Sequence, residues 1–207
     1  MNSIIFDLDG TLWDSRDAVA AVWNKVINQY ENINKEITTD DLKKTMGLPF
    51  DEVGKRLLPD FDNELREKIL KECIDVENDY LREQGGILYE NLESVLKNLS
   101  QKYKLFIVSN CQEGYIEAFY DYHKLEKYFI DYENPGRTGL SKGENIKLII
   151  ERNQLSNPVY VGDTDGDQKA AKQAGIPSVY ARYAFGEVTE YDYVIDRFDE
   201  LLELFNK

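Results

Sequence analysis

The feature that most constrains the fold is a short apolar run near the amino terminus that ends in two acids and a glycine. Residues 3–12 have the sequence SIIFDLDGTL. A run of this kind is typical of a buried parallel strand that carries polar groups at its C-terminal end, where open α/β sheets bind their ligands. Side chains alternate along a strand, so Asp7 and Asp9 are expected on one face, with Gly10 allowing a sharp turn. The motif alone leaves an ordinary acidic turn as the alternative.

Length and net charge limit the number of domains and the kinds of partner that the protein can have. The chain has 207 residues, of which 42% are hydrophobic, and a formal net charge of -14. This length suits one domain, or a main domain with a modest second one. The negative charge argues against nucleic acid and anionic membranes as primary partners but is compatible with a small anionic substrate. Because no apolar segment approaches membrane-spanning length and the amino terminus runs directly into a strand, a cytoplasmic location is expected.

Cysteine and histidine are too sparse for several kinds of site. Cys73 and Cys111 are far apart and lack metal-ligand spacing, so free thiols are expected. His123 is the only histidine, which excludes clustered histidine metal sites.

The order of the predicted elements indicates the fold class. Residues 13–83 carry apolar positions at helical spacing, and from residue 88 onward strands alternate with helices, including strands at 104–108, 158–163, 178–181 and 193–195 and a short strand near 129–130. Such alternation predicts an α/β fold with a doubly wound, mostly parallel, Rossmann-like sheet. The helical stretch predicts a small all-helical cap domain at residues 14–85, inserted into a core formed by residues 1–13 and 86–207. Inserted directly after the first strand, it is placed to act as a lid.

Polar residues follow the predicted strands or lie in loops at the same edge of the sheet. They are Asp7 and Asp9, then Ser109 and Asn110, then Lys142 in an irregular loop at 136–143, and finally Asp163 and Asp167. Each group is weak evidence alone. Their combination and order resemble the four motifs of the haloacid dehalogenase-like hydrolase superfamily, and the helical insertion resembles its phosphoglycolate-phosphatase-like branch. The resemblance covers essentially the full length.

This resemblance implies Mg²⁺-dependent phosphoryl transfer through an aspartyl-phosphate. It assigns Asp7 as nucleophile and Asp9 as acid and base, with one pKa of this close pair raised by their repulsion. The implied Mg²⁺ ligands are Asp7, the Asp9 backbone carbonyl and Asp163, and Asp167 supports Lys142 or a metal-bound water.

The phosphate would be held by Ser109, Asn110 and Lys142, together with backbone N–H groups near Gly10 and Thr11.

Two further expectations concern loops. Gly143 replaces the proline that often follows the motif lysine, which predicts a looser loop. A segment around Lys44 and Gly47, ending near Pro49, lies where the family sends a cap loop toward the active site, so Lys44 and Gly47 are candidate specificity residues.

The predicted function is hydrolysis of a small phosphate monoester, such as phosphoglycolate, a sugar phosphate or a nucleotide. A sugar-phosphate mutase of the same superfamily is the nearest alternative. From another class, a non-catalytic receiver-like module could bind phosphate and Mg²⁺ without turnover. The sequence leaves the substrate and the oligomeric state open.

Overall fold

A six-stranded parallel sheet forms the centre of the protein. The computed structural model describes residues 2–30, 35–48 and 50–205. The strands are β1 (Ser3–Phe6), β2 (Trp13–Asp14), β3 (Ile87–Leu88), β4 (Lys104–Val108), β5 (Asp131–Glu133), β6 (Pro158–Gly162), β7 (Ser178–Ala181) and β8 (Tyr193–Ile195). The sheet has the order β5-β4-β1-β6-β7-β8, and β2 pairs with β3 in a separate antiparallel ribbon.

Helices cover the sheet and form the long segment between β2 and β3. They are α1 (Arg16–Ile27), α2 (Thr39–Lys43), α3 (Phe50–Leu57), α4 (Asn63–Gln84), α5 (Leu92–Leu99), α6 (Tyr115–His123), α7 (Pro135–Thr138), α8 (Lys142–Arg152), α9 (Asp165–Ala174) and α10 (Leu201–Phe205). Short 3₁₀ helices occur at Glu126–Tyr128 and Phe198–Glu200. None of the helices in the described ranges is long and apolar enough to cross a membrane.

The central strand β1 is buried on both faces, as its unbroken apolar sequence predicts. Ile4 and Phe6 belong to a hydrophobic cluster with α5, α6 and α10, whereas Ile5 belongs to a cluster with α8 and α9. Because neighbouring side chains point to opposite faces, one strand supplies both cores. The predicted doubly wound α/β fold is confirmed.

Helices α1–α4, called the helical insert below, have a hydrophobic cluster of their own. Its buried members include Trp23, Ile27, Leu42, Ile69 and Cys73. The β2–β3 ribbon joins the insert to the sheet, with Trp13 opposite Leu88.

The structure corrects three local predictions. The strand expected near 129–130 lies at Asp131–Glu133. The loop expected at 136–143 contains most of α7 and the start of α8. The stretch 13–83 is not helical throughout, since Trp13–Asp14 forms β2. Pro49 lies outside the described residues. Cys73 and Cys111 are buried free thiols, as expected.

Candidate active site

The strand order brings the predicted motifs to one edge of the sheet. Asp7 directly follows β1, Ser109 follows β4 and Asp163 follows β6. Because β4, β1 and β6 are neighbours and parallel, their carboxyl ends lie side by side. All three side chains are buried. The site therefore lies where ligands bind in open α/β sheets.

Lys142 bridges two of the buried carboxylates. Its Nζ lies 2.9 Å from Asp7 Oδ1 and 2.6 Å from Asp167 Oδ1. The other Asp167 oxygen accepts hydrogen bonds from the Thr164 backbone N–H (2.8 Å) and hydroxyl (2.7 Å) in a capping box at the start of α9. One Asp167 oxygen is thus held by the capping box of its own helix, and the other holds Lys142 in position.

Lys142 is the first residue of α8, so its position is fixed by a helix. Ser141 and Glu144 form a capping box at this end. A Cβ atom at Gly143 would lie 2.4 Å from Gln173 Oε1 on α9. Glycine therefore permits close packing of α8 against α9 at this point. The expectation of a looser lysine loop is wrong.

A cluster of carboxylates beside Lys142 fits a hard cation. Asp7, Asp163 and Asp167 each offer an oxygen, and these atoms lie within 4.8 Å of one another. Asp163 Oδ2 accepts a 3.0 Å hydrogen bond from the Phe185 N–H, whereas the buried Oδ1 has no hydrogen-bond partner in the described part of the chain. Both Asp167 oxygens are already engaged, so Asp7 and Asp163 are the carboxylates best placed to hold a hard cation.

Burial disfavours charge in this cluster. It raises the pKa of Asp7 to about 7, and the Asp167 charge adds to that rise while Lys142 opposes it. Burial also raises the pKa of Asp163 well above its usual value. A bound cation would favour the ionised form of both carboxylates.

Asp9 lies in different surroundings. Its Oδ1 accepts hydrogen bonds from the Ser15 hydroxyl (2.6 Å) and the Tyr115 hydroxyl (3.0 Å). Burial raises the pKa of Asp9 to about 6, and these hydrogen bonds lower it. Burial, not repulsion from Asp7 as predicted, is therefore the main cause. The Asp9 carboxylate is outside the metal-type cluster, so only its predicted carbonyl role stays open.

The predicted phosphate donors divide into two groups. The Gly10 N–H donates to the Trp13 carbonyl and the Thr11 N–H to the Leu8 carbonyl, both within the turn after β1. The prediction that these two amides face phosphate is corrected, since the tight turn uses them. Ser109, by contrast, lines a cavity with Asp7 and Lys142.

The cavity lies between the sheet edge and the helical insert and measures about 90 Å³. Asn110 and Gly47 both line it, and Asn110 Nδ2 donates a 2.9 Å hydrogen bond to the Gly47 carbonyl. Lys44 is exposed and is not among the lining residues. Gly47 therefore lies at the cavity and Lys44 does not, and a role of either residue in specificity stays a prediction.

Comparison with known proteins identifies the family. The model of the haloacid dehalogenase-like hydrolases matches residues 4–181. The chain belongs to the haloacid dehalogenase-like hydrolase family.

Relatives in this family align with this chain over nearly their whole length. A phosphoglycolate phosphatase from Vibrio parahaemolyticus is 27% identical, with 97% of this chain and 94% of that protein covered. Pyrophosphatase PpaX from Bacillus mycoides is 24% identical, covering 100% of this chain and 98% of that protein. A predicted phosphoglycolate phosphatase from Haemophilus somnus shares the fold with a TM-score of 0.84, at 20% identity and with 99% and 97% of the two chains covered. The chain is thus similar over nearly its full length to proteins named phosphoglycolate phosphatase, in agreement with the branch that its sequence predicted.

Sequence reasoning missed several residues around the family motifs. Glu77 of the helical insert, Gln112 and Tyr115 all line the cavity. Tyr115 and Ser15, which both donate hydrogen bonds to Asp9, belong to none of the motifs. One signal was available for Glu77: it is an acid on α4 four residues after the buried Cys73 and four before the buried Leu81.

Proposed function

We propose that the protein is a Mg²⁺-dependent phosphatase that hydrolyses a small phosphate monoester through an aspartyl-phosphate on Asp7. The observation that carries the proposal is that Asp7 contacts Lys142, clusters with Asp163 and lines a cavity together with Asp9. The phosphatase names of the curated relatives support it. The cavity volume of about 90 Å³ favours a small substrate.

Each residue has a role that follows from its surroundings. An Asp7 oxygen attacks phosphorus, and the bond between phosphorus and the ester oxygen breaks. Asp9 gives its proton to that leaving oxygen, and it later takes a proton from the water that attacks the aspartyl-phosphate. This second attack releases phosphate and regenerates the Asp7 carboxylate.

The remaining groups balance the negative charges of the phosphate and of the nucleophile. Lys142 and the Ser109 hydroxyl are placed to contact phosphoryl oxygens, and Asp167 holds Lys142 in position. When bound by Asp7 and Asp163, Mg²⁺ supplies positive charge that offsets repulsion between the nucleophile and the phosphate.

The division into domains is part of the proposal. Residues 1–13 and 86–207 would form the phosphotransfer core, and residues 14–85 a cap that covers the substrate. The separate hydrophobic cluster of the helical insert supports this division. Gly85, with a φ of 67°, ends α4 next to the β2–β3 ribbon and is a candidate hinge.

The test uses purified protein and p-nitrophenyl phosphate. Phosphate release is expected with Mg²⁺ and is expected to stop with EDTA or in Asp7→Asn. The Asp192→Asn variant, which changes an exposed aspartate elsewhere, should retain activity. Failure of the wild type to release phosphate from this ester and from a broad phosphoester panel would overturn the proposal. Measuring free phosphate also separates hydrolysis from the mutase alternative, which returns the phosphoryl group to a sugar.

A further inference from the structure

The helical insert places one acid against the cavity. Glu77 lies on the buried face of α4, and its side chain is 3% exposed. It lines the same cavity as Asp7, Asp9 and Lys142. The mechanism proposed above assigns it no part. A buried carboxylate carries a large desolvation cost, so its presence needs a reason.

The partners of Glu77 are neutral. One carboxylate oxygen accepts a hydrogen bond from Trp23 Nε1, and the other accepts one from Gln112 Nε2 at 2.7 Å. These hydrogen bonds orient the carboxylate without supplying a positive charge. Each oxygen has two lone pairs, so each can accept a further donor.

No cation offsets Glu77 among the described residues that line the cavity. Lys142 is the one cation in that set, and it is already paired with Asp7 and Asp167. Several other lining residues from the insert are apolar, including Val19, Trp23 and Leu42. A substrate whose leaving group carries a carboxylate would therefore place a second negative charge near Glu77, whose own charge no lining cation balances.

We propose that Glu77 selects the leaving group, favouring monoesters of small alcohols with a hydroxyl or ammonium donor and disfavouring those with a carboxylate. This inference rests on the proposed phosphatase function and narrows its substrate class. The donor on the leaving group would satisfy the free acceptor capacity of Glu77, whereas a carboxylate offers no donor and is repelled. The preferred substrates thus differ from phosphoglycolate, which appears in the name of the Vibrio parahaemolyticus relative.

The test compares two substrates of matched size at pH 8 with Mg²⁺. 2-Hydroxyethyl phosphate and 2-phosphoglycolate differ only in a terminal CH₂OH group against a carboxylate. Wild-type kcat/KM is expected to be at least tenfold higher for 2-hydroxyethyl phosphate. In Glu77→Gln, which keeps the shape and removes the charge, the ratio of the two values should fall at least fivefold, mainly through faster reaction of 2-phosphoglycolate.

Glu72→Gln is the matched control, because Glu72 is on the same helix and hydrogen-bonds Tyr30 instead of lining the cavity. This variant should leave the ratio unchanged. It therefore distinguishes the loss of any negative charge on α4 from the loss of the charge at the cavity. Equal wild-type values for both esters, or a ratio unmoved in folded Glu77→Gln, would overturn the inference. The wild-type ratio decides the question if that variant does not fold. Turnover of p-nitrophenyl phosphate distinguishes failure of this inference from failure of the phosphatase function, since loss of all turnover overturns both.

Discussion

Lys142 Nζ and Asp7 Oδ1 form a buried ion pair of 2.9 Å that joins the start of α8 to the end of β1. Asp7 and Asp167 share this single ammonium group, which raises the pKa of Lys142 despite the opposing effect of burial. The lysine is therefore charged at neutral pH, and it places a fixed positive group beside Asp7.

Replacing this lysine should affect both catalysis and stability. Lys142→Met is expected to reduce kcat by about 10²–10³ because a positive group beside the transferred phosphate is lost. It should also lower the free energy of unfolding by about 3 kcal/mol, since two buried carboxylates lose their partner. Phosphate-release kinetics and urea denaturation measure the two effects. Lys147→Met changes an exposed lysine on the same helix and should have neither effect; similar losses in both variants would contradict the assigned role.

Mg²⁺ binding should stabilise the folded protein. At free Mg²⁺ about 100-fold above Kd, the expected gain is about 2.7 kcal/mol, observed as a higher Tm by calorimetry. Asp163→Asn keeps an acceptor for the Phe185 N–H but loses a charged ligand, so the gain should disappear at the same Mg²⁺ concentration. Asp192→Asn, which likewise keeps an acceptor for a backbone N–H, should retain it. An undiminished gain in Asp163→Asn would show that Mg²⁺ binds elsewhere.

The assignment of Asp9 as acid predicts a dependence on the leaving group. Asp9→Asn retains an acceptor for Ser15 and Tyr115 but cannot supply the proton. We expect the first step with alkyl phosphates, followed as alcohol release in a single turnover, to slow by about 10²–10⁴. The loss for p-nitrophenyl phosphate should be smaller, because p-nitrophenolate leaves without protonation. Equal losses for both esters, measured by single-turnover kinetics, would argue against the role.

Gly47 should be needed for contact between the insert and the core. Its φ is 75°, and a Cβ atom would lie 2.9 Å from Thr164 Oγ1. Gly47→Ala is therefore expected to lose about 1–2 kcal/mol of stability through backbone strain and to lower kcat/KM several-fold as the loop moves from Thr164. Gly175→Ala shares the backbone strain, with a φ of 74°, but has no atom within 4 Å. It should lose stability and retain kcat/KM, whereas parallel losses of activity would contradict this explanation.

Glu77 should make stability depend on pH. Burial, with a contribution from the Asp9 charge, raises the pKa of Glu77 from 4.5 to about 7, against the opposing hydrogen bonds of Trp23 and Gln112. The folded state thus binds the proton more tightly than the unfolded state, and stability falls as pH rises from 4.5 through 7. Glu77→Gln should reduce this fall by at most about 3 kcal/mol, and the part that comes from the raised pKa values of Asp7 and Asp9 should remain. Urea denaturation at pH 4.5 and 8 measures the difference. An unchanged pH dependence in the variant would contradict the raised pKa.

The sequence was sufficient for the features that depend on local pattern. The apolar run of β1 and the alternation of strands and helices predicted the sheet, because burial on both faces requires continuous apolar strands. Parallel strands align their carboxyl ends, so the positions of Asp7, Ser109 and Asp163 along the chain also predicted a common edge. The family motifs then added Lys142 and Asp167.

Contacts between segments far apart in sequence, by contrast, are known only from the tertiary structure. A donor to Asp9, Tyr115, lies on α6, and the donors to Glu77 lie on α1 and in the loop after β4. Helical periodicity gives the face on which a residue lies but not the element packed against that face. The same limit explains why Gly143 was misinterpreted, since its role depends on α9. The sheet, the edge at which the motif residues meet and the identity of those residues were thus predictable from local pattern, whereas the packing of the insert over that edge decided which groups line the cavity.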